Sequence, residues 1–378
     1  MRIGIDARKL HDFGIGTYIR NLLHQLARID QATEYVLLCR ERDKDVAAQV
    51  GPNFRAVVES APAYSLSEQI RVPIALRRER IDLFHAPHYV LPPLVHCRSI
   101  VTIHDCIHVM FPQYLPGRLA YAYARATLWT ATRRADRILT VSEASKSDIL
   151  RCFNVPAAKI VVTYNAIDPP FLIEPAHEEF ARARERYQLV DPFVLYVGNI
   201  KPHKNLERLI DAFDRVRQHG FENLTLVIIG DQISRYQGLR RAVHRHKLHK
   251  HVRFLGFVSP GTLAVLYRLA SVFVFPSLYE GFGLPPLEAM ASGTPVLSSN
   301  VSSLPEVLGD AALLVDPYSP EAIADGLLKL LTDDTLRSTL TARGLAKARE
   351  YSWEESVRRV HDIYVDVMQE DRGGPFPD

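Results

Sequence analysis

Residues 272–299 read VFVFPSLYEGFGLPPLEAMASGTPVLSS. Two short runs rich in β-branched and aromatic residues, VFVFP (272–276) and PVLSS (295–299), bracket a Gly-rich turn and a helix-forming stretch. Apolar runs of that length separated by one helix read as buried parallel strands joined by a crossover. Proline is favoured in the first helical turn, so the helix is expected to begin near Pro286, with Glu288 in its first turn. The amides of Phe282, Gly283 and Leu284 then stand at the positive end of the helix, where an anion is welcome. Glu280 and Glu288 flank the turn. One such carboxylate can accept hydrogen bonds from a vicinal diol while amides and a cation hold phosphate, whereas a carboxylate pair also suits hydrolysis of a glycosidic bond. Helix-dipole stabilisation would account for Glu288 alone and leaves the glycines unexplained.

The same alternation runs outward through the whole chain. On the N-terminal side, strands are predicted at RIGID (2–6), EYVLLC (34–39), FRAVV (54–58), DLFHA (82–86), SIVTIHD (99–105) and RILTVS (137–142). Nearer the quoted stretch they are FVLYVG (193–198), LTLVIIG (224–230), VRFLG (252–256) and, beyond it, ALLVD (312–316). Helices lie between, as at 16–29, where Ile19, Leu22, Leu23, Leu26 and Ile29 recur at helical spacing. Around 164–175 the pattern breaks at YNAIDPPFLIEP, whose three prolines suit neither a helix interior nor a central strand. The prediction is an α/β chain of two doubly wound parallel-sheet domains, 1–167 and 168–352, with a helical tail over 353–378 that crosses back to the first domain.

With 378 residues, 47% hydrophobic and 24% charged, the chain is globular and not disordered. The net charge of +3 argues against nucleic acid as a partner. It conceals an asymmetry, +7 over 1–167 and −4 over 168–378. Cys39, Cys97, Cys106 and Cys152 lack metal or redox spacing and read as reduced thiols. No run approaches the ~20 apolar residues of a membrane span, and a strand opens at residue 2, so a cytoplasmic protein is expected.

Open parallel sheets bind ligands at the carboxyl ends of their strands. After the first strand, KLHDFGIGTY is expected to hold Gly14 and Gly16 in a loop before a helix from residue 17; Ile19 replaces the third glycine of a dinucleotide fingerprint. His104 and Asp105 end an apolar strand. A metal reading of these two with His108 lacks a supporting Glu or Cys cluster. In GNIKPHKN, Gly198 and Asn199 end a strand, and Lys201, His203 and Lys204 precede a helix, cations that suit a diphosphate. His244, His246, His249 and His251 crowd VHRHKLHKHV, but flanking Arg and Lys without Cys or Asp favour a solvated helix end.

EGFGLPPLE, together with YVGNIKPHKN, TVSEASKSDI, YNAID and GIGTYIRNL, resembles the retaining family 4 glycosyltransferases of GT-B fold, in order over nearly the whole chain. The resemblance implies two Rossmann-like domains facing a central cleft, the nucleotide-sugar donor on the second and the acceptor on the first. It implies that Glu288 binds the ribose hydroxyls and Glu280 the donor sugar. Gly281, Phe282, Gly283 and Leu284 would line sugar and diphosphate, and Gly198, Asn199 and Lys204 the diphosphate. Gly14 and Gly16 would face the phosphates, and Phe257 and Val258 the base. His104 and Asp105 would lie beside the transferred sugar, so that His104, Asp105, Lys204 and Glu280 carry the catalysis. No cofactor and no metal is implied, the donor being a substrate. Asn199 and His203 depart from a pattern in which relatives carry arginine at one position or the other, which places more of the charge on Lys204.

The wording of GLPPLEAMASGTPV and SSLPEVLGDAALLVDP resembles bacterial mannosyltransferases of polysaccharide assembly, implying GDP-mannose, with UDP-glucose or a related UDP-sugar as the alternative donor. A nucleotide-sugar epimerase and a non-catalytic sugar-nucleotide-binding protein are rival functions. Acceptors in the family are glycans, glycolipids or lipid-linked glycans. The basic first half, with Arg71, Arg77, Arg78, Arg80, Arg118, Arg125, Arg133, Arg134 and Arg137 near Tyr121, Tyr123 and Trp129, is thus expected to meet an anionic membrane peripherally from the cytoplasmic face.

Overall fold

The computed structural model describes residues 1–230 and 236–370. Two compact units divide the chain: Met1–Asn165 with the C-terminal segment from Ser352, and Ala166–Tyr351. The junctions stand slightly before those read from the sequence because Ala166 and Ile167 are already buried in the second unit's packing.

The first unit carries β1 (Arg2–Asp6), β2 (Glu34–Cys39), β3 (Phe54–Val58), β4 (Leu83–Ala86), β5 (Arg98–Ile103), β6 (Arg137–Thr140) and β7 (Ile160–Val162). They pair in the order β3-β2-β1-β4-β5-β6-β7, every pairing parallel. The second unit carries β8 (Phe193–Val197), β9 (Thr225–Ile229), β10 (Val252–Gly256), β11 (Val272–Phe275), β12 (Val296–Ser299) and β13 (Leu313–Val315), in the order β10-β9-β8-β11-β12-β13, again all parallel. Helices on both faces keep the strands dry: Val36, Leu37, Leu38 and Cys39 are all buried, as are Val272 to Phe275. Each sheet has one point where the order reverses, between β1 and β4 in the first and between β8 and β11 in the second.

Four local expectations change. The helix after β1 runs Phe13–Ile29, so it starts before residue 17 and takes Gly14 and Gly16 into its first turn. The His104–Asp105 pair lies beyond β5, which ends at Ile103. The three-residue β7 went unread because IVV is too short to show a period. The proline-rich linker holds a helical turn, Pro169–Leu172, since prolines in the first two helical positions forfeit no intrahelical bond.

The helix Trp353–Gln369 packs against the helix Phe13–Ile29. Its Tyr364 hydroxyl lies 2.6 Å from Nδ1 of His85 on β4, whose Nε2 is 2.8 Å from Thr102 Oγ1 on β5. His361 Nε2 lies 3.1 Å from Asp30 Oδ2. Burial holds the His85 imidazole neutral, its pKa pushed down to about 3. An unfolded histidine titrates near 6.5, so between these values the unfolded chain binds more protons, and the stability His85 contributes at pH 7 is lost as pH falls below 6.5. Tyr364→Phe leaves a buried ring nitrogen without its partner and should lower stability by ~1–3 kcal/mol in urea denaturation.

Candidate active site

In the second unit, Val272 and Phe273 of β11 pair with Val194 and Leu195 of β8, and the chain leaves the two carboxyl ends in opposite directions. Such a reversal opens a crevice that no crossover fills. From β8 come Gly198 and Asn199, then a short 3-10 turn, Pro202–Lys204. Asn205 caps the next helix in left-handed backbone at φ 63, and its side-chain amide donates to the carbonyls of Pro276 and Pro317 at 3.0 and 2.6 Å. The Leu278 amide donates to the His203 carbonyl at 2.7 Å. The loops after β8 and β11 are thereby tied together.

That tie delivers Lys204 to Glu280. Nζ of Lys204 lies 2.5 Å from Glu280 Oε1, both side chains only 13% exposed, and the ammonium stands 5.2 Å from the Phe275 ring centroid. His203 is buried, Lys201 faces solvent, and the Oδ1 of Asn199 is buried with no protein donor.

The turn after Glu280 is held from behind by two serines that the sequence reading did not single out. Ser302 Oγ donates to the Glu280 carbonyl at 2.6 Å and lies 3.2 Å from the Glu280 amide. Buried Ser303 Oγ lies 2.9 Å from the carbonyls of both Glu280 and Phe282. Their signal was the switch-point rule itself, since SSLP follows the carboxyl end of β12. Gly283 caps the helix Leu284–Ala291 at φ 112, and a Cβ there would meet Leu304 Cδ2 at 2.8 Å. The positive φ is what calls for glycine, since Leu304 Cδ2 is the free end of a side chain.

This helix starts at Leu284, not at Pro286, and Glu288 consequently sits in its second turn. Pro285 and Pro286 have no N–H, so only Gly283 and Leu284 remain of the four amides a helix normally presents at its start. The Tyr267 hydroxyl donates to Glu288 Oε2 at 2.9 Å. Burial first, with the nearby charge of Asp168, raises the Glu288 carboxyl to about 7 despite that hydrogen bond. Phe257 and Val258 follow the edge strand β10; Phe257 is 80% exposed, whereas the Val258 side chain is buried.

In the first unit, His104 and Asp105 follow β5. His104 Nε2 donates to the Pro87 carbonyl at 2.9 Å, which fixes the proton on Nε2 and leaves Nδ1 as the acceptor nitrogen. Burial lowers its pKa, so the ring is neutral. Asp105 Oδ1 accepts from the Ile107 amide at 3.0 Å. Gly14 is exposed with open space around it, but Gly16 serves packing: a Cβ there would press on the Leu10 carbonyl at 2.5 Å. His246, expected to be solvated, instead bridges Asp211 and Asp214 at 2.8 Å each, because a neighbouring helix supplies the carboxylates missing from its own segment. Among the described residues no group of three His, Cys, Asp or Glu is placed to hold a metal ion. A shallow cavity beside Cys97, Arg98 and Arg134 lies at the amino end of β5, away from these loops.

Residues 14–171 match the family described as Glycosyltransferase Family 4, and residues 178–346 match Glycosyl transferases group 1. The chain is 36% identical to O-antigen chain mannosyltransferase B of Escherichia coli over 91% of its own length and 89% of that protein's. The chain is a family 4 glycosyltransferase of GT-B fold. It is 28% identical, over 72% of its length, to the serotype-specific mannosyltransferase WbdA of Escherichia coli, spanning 34% of that larger protein. Its fold is shared with Anabaena HepE, solved in complex with UDP-glucose, at a TM-score of 0.79 and 17% identity, over 97% of this chain and 100% of that one. In the glycosyltransferase, Tyr267→Phe removes a donor that favours the charged form of Glu288. The Glu288 midpoint should then rise above 7, measured by NMR titration of the labelled carboxyl carbon.

Proposed function

We propose that this glycosyltransferase moves mannose from GDP-mannose to a glycan or lipid-linked glycan, with retention of anomeric configuration and without a metal ion. The observation that carries the reading is the Lys204–Glu280 pair at the switch point of the second sheet. A diphosphate is the natural competitor for Lys204, and sugar hydroxyls are natural donors to the Glu280 carboxylate. The relationship to the Escherichia coli O-antigen chain mannosyltransferase B supports mannose.

In this reading the C1–oxygen bond to the diphosphate breaks and the acceptor oxygen bonds C1 on the same face. The acceptor proton passes to a phosphate oxygen of the leaving GDP. Negative charge grows on the diphosphate, which draws Lys204 from Glu280 and meets the amides of Gly283 and Leu284 at the helix start. His104 and Asp105 position the sugar and acceptor. Glu288 receives the ribose diol, best as its ionised form.

Lys204→Ala or Glu280→Ala should lower kcat/KM by at least 100-fold, with transfer insensitive to EDTA and the product anomer matching the donor by NMR. Higher kcat/KM with UDP-glucose than with GDP-mannose would overturn the donor assignment. A new sugar isomer from donor alone would identify an epimerase, and tight binding without turnover a binding protein. GDP affinity should fall as pH drops from 8 to 6, and Glu288→Gln should flatten that dependence.

Peripheral membrane attachment is part of the proposal. Among the described residues no helix is long and apolar enough to cross a membrane. The helix Arg118–Arg134 exposes Leu119 and Trp129 beside Arg118, Arg125, Arg133 and Arg134. Arg71 and Arg137 are paired with Glu59 and Glu370. Co-sedimentation should require anionic lipid and weaken with salt.

A further inference from the structure

Two thiols remote from one another in the chain, Cys106 and Cys152, meet in the first unit. Cys106 directly follows His104 and Asp105 and leads into the helical turn Ile107–Met110, and Cys152 ends the helix Glu143–Cys152. Cys106 is fully buried in the core; Cys152 packs against that core and keeps part of its surface exposed. The Cys106 thiol donates a hydrogen bond to the Cys152 sulfur. The same two segments touch elsewhere: Ser145 Oγ donates to the His104 carbonyl at 3.2 Å, and Arg151 Nη2 lies 3.4 Å from Met110 Sδ. Spacing along the chain carries no redox motif, and the fold assembles the pair.

Their surroundings give the two sulfurs different roles. The hydrogen bond from Cys106 lowers the Cys152 thiol to about 7, with Arg151 and Arg125 acting alongside it against burial and the charge of Asp148. Part of Cys152 is then thiolate at neutral pH, the form that attacks an oxidant. Cys106 is the opposite case: the hydrogen bond it donates and its burial both raise its pKa, so it stays a thiol.

Neither remaining cysteine can replace one of the pair, because a disulfide tolerates no Cα separation beyond about 7 Å. Cys39 ends β2, which β1 and β4 separate from β5, so it stands about 14 Å from the end of β5 at ~4.8 Å per strand. Burial, with Asp43 and Glu41, also pushes its thiol up to about 11. Cys97 precedes β5 and Cys106 lies beyond it, so the six-residue strand holds them about 20 Å apart.

We propose that Cys152 and Cys106 are a reversible modification site, closed to a disulfide by hydrogen peroxide, and that closure slows sugar transfer through the His104–Asp105 turn. The Cys152 thiolate attacks one peroxide oxygen; the O–O bond breaks, the leaving hydroxide takes up a proton and departs as water, and a sulfenic acid remains on Cys152. Cys106 then attacks that sulfur, its proton passing to the departing hydroxide; the S–S bond forms and a second water leaves. The two thiols lose two electrons and one peroxide gains them. The new bond of about 2.05 Å is shorter than any contact between two thiols, so it draws Cys106 toward the helix end and shifts the turn before it.

The effect on transfer rests on the glycosyltransferase reading and the bond does not, so bond and rate are read separately. Full-length reduced protein is treated with hydrogen peroxide, and its remaining thiols are then alkylated. A peptide map should join Cys106 to Cys152, while kcat/KM falls at least threefold and dithiothreitol restores it. Cys152→Ser should keep the full rate and lose the peroxide sensitivity, and Cys106→Ala should leave a sulfenic acid on Cys152 that dimedone captures. The proposal is overturned by oxidation of Cys152 without a disulfide, by a bond to Cys39 or Cys97, or by a disulfide form that transfers as fast as the reduced one. A chain with no transfer before oxidation removes the glycosyltransferase reading, and the peptide map then still decides the pair.

Discussion

A sheet whose strands all run the same way must return the chain from the carboxyl edge to the amino edge after every strand. Right-handed crossovers do this on one face for part of the sheet and on the other face for the rest. Where the two sets meet, adjacent strands send their chains apart, and the crevice between them stays open to ligand. Each unit has one such place, at β1/β4 and β8/β11. Polar side chains withdrawn from water and paired with one another stand there: Lys204 with Glu280 in one unit, and Arg8 and His88 around Asp6 in the other. The chemistry is an outcome of strand order before it is an outcome of any individual residue.

Holding such loops still requires work from behind. Glu280 is supported through its backbone by Ser302 and Ser303, so its carboxylate is left to Lys204. Lys204 is placed by the turn that Asn205 closes against two proline carbonyls. Small hydroxyl and amide side chains do the fastening, and the longer charged ones reach forward.

The alternation of apolar runs made the two parallel sheets legible, because buried strands of Val, Ile and Leu look alike wherever they stand. The turn EGFGLPPLE was legible for a different reason: glycine, proline and glutamate each have a narrow range of uses at a strand-to-helix switch. Helix starts were harder to read. Phe13 opens a helix although two glycines follow it, because the Gly16 amide bonds the Asp12 carbonyl and glycine makes room for the Leu10 carbonyl. The pairing of His246 with Asp211 and Asp214 joins residues far apart in the chain, and no local pattern records it.

Tyr364 belongs to the first unit, yet the whole second unit lies between it and Asn165. At ribosomal rates of roughly 5–20 residues per second, the nascent chain spends on the order of 10–40 s adding the intervening residues. Throughout that interval His85 waits for its hydroxyl partner and the helix Phe13–Ile29 for its neighbour. The second unit, continuous in the chain, has every strand it needs as soon as residue 315 emerges. Order of synthesis and order of completion are therefore reversed.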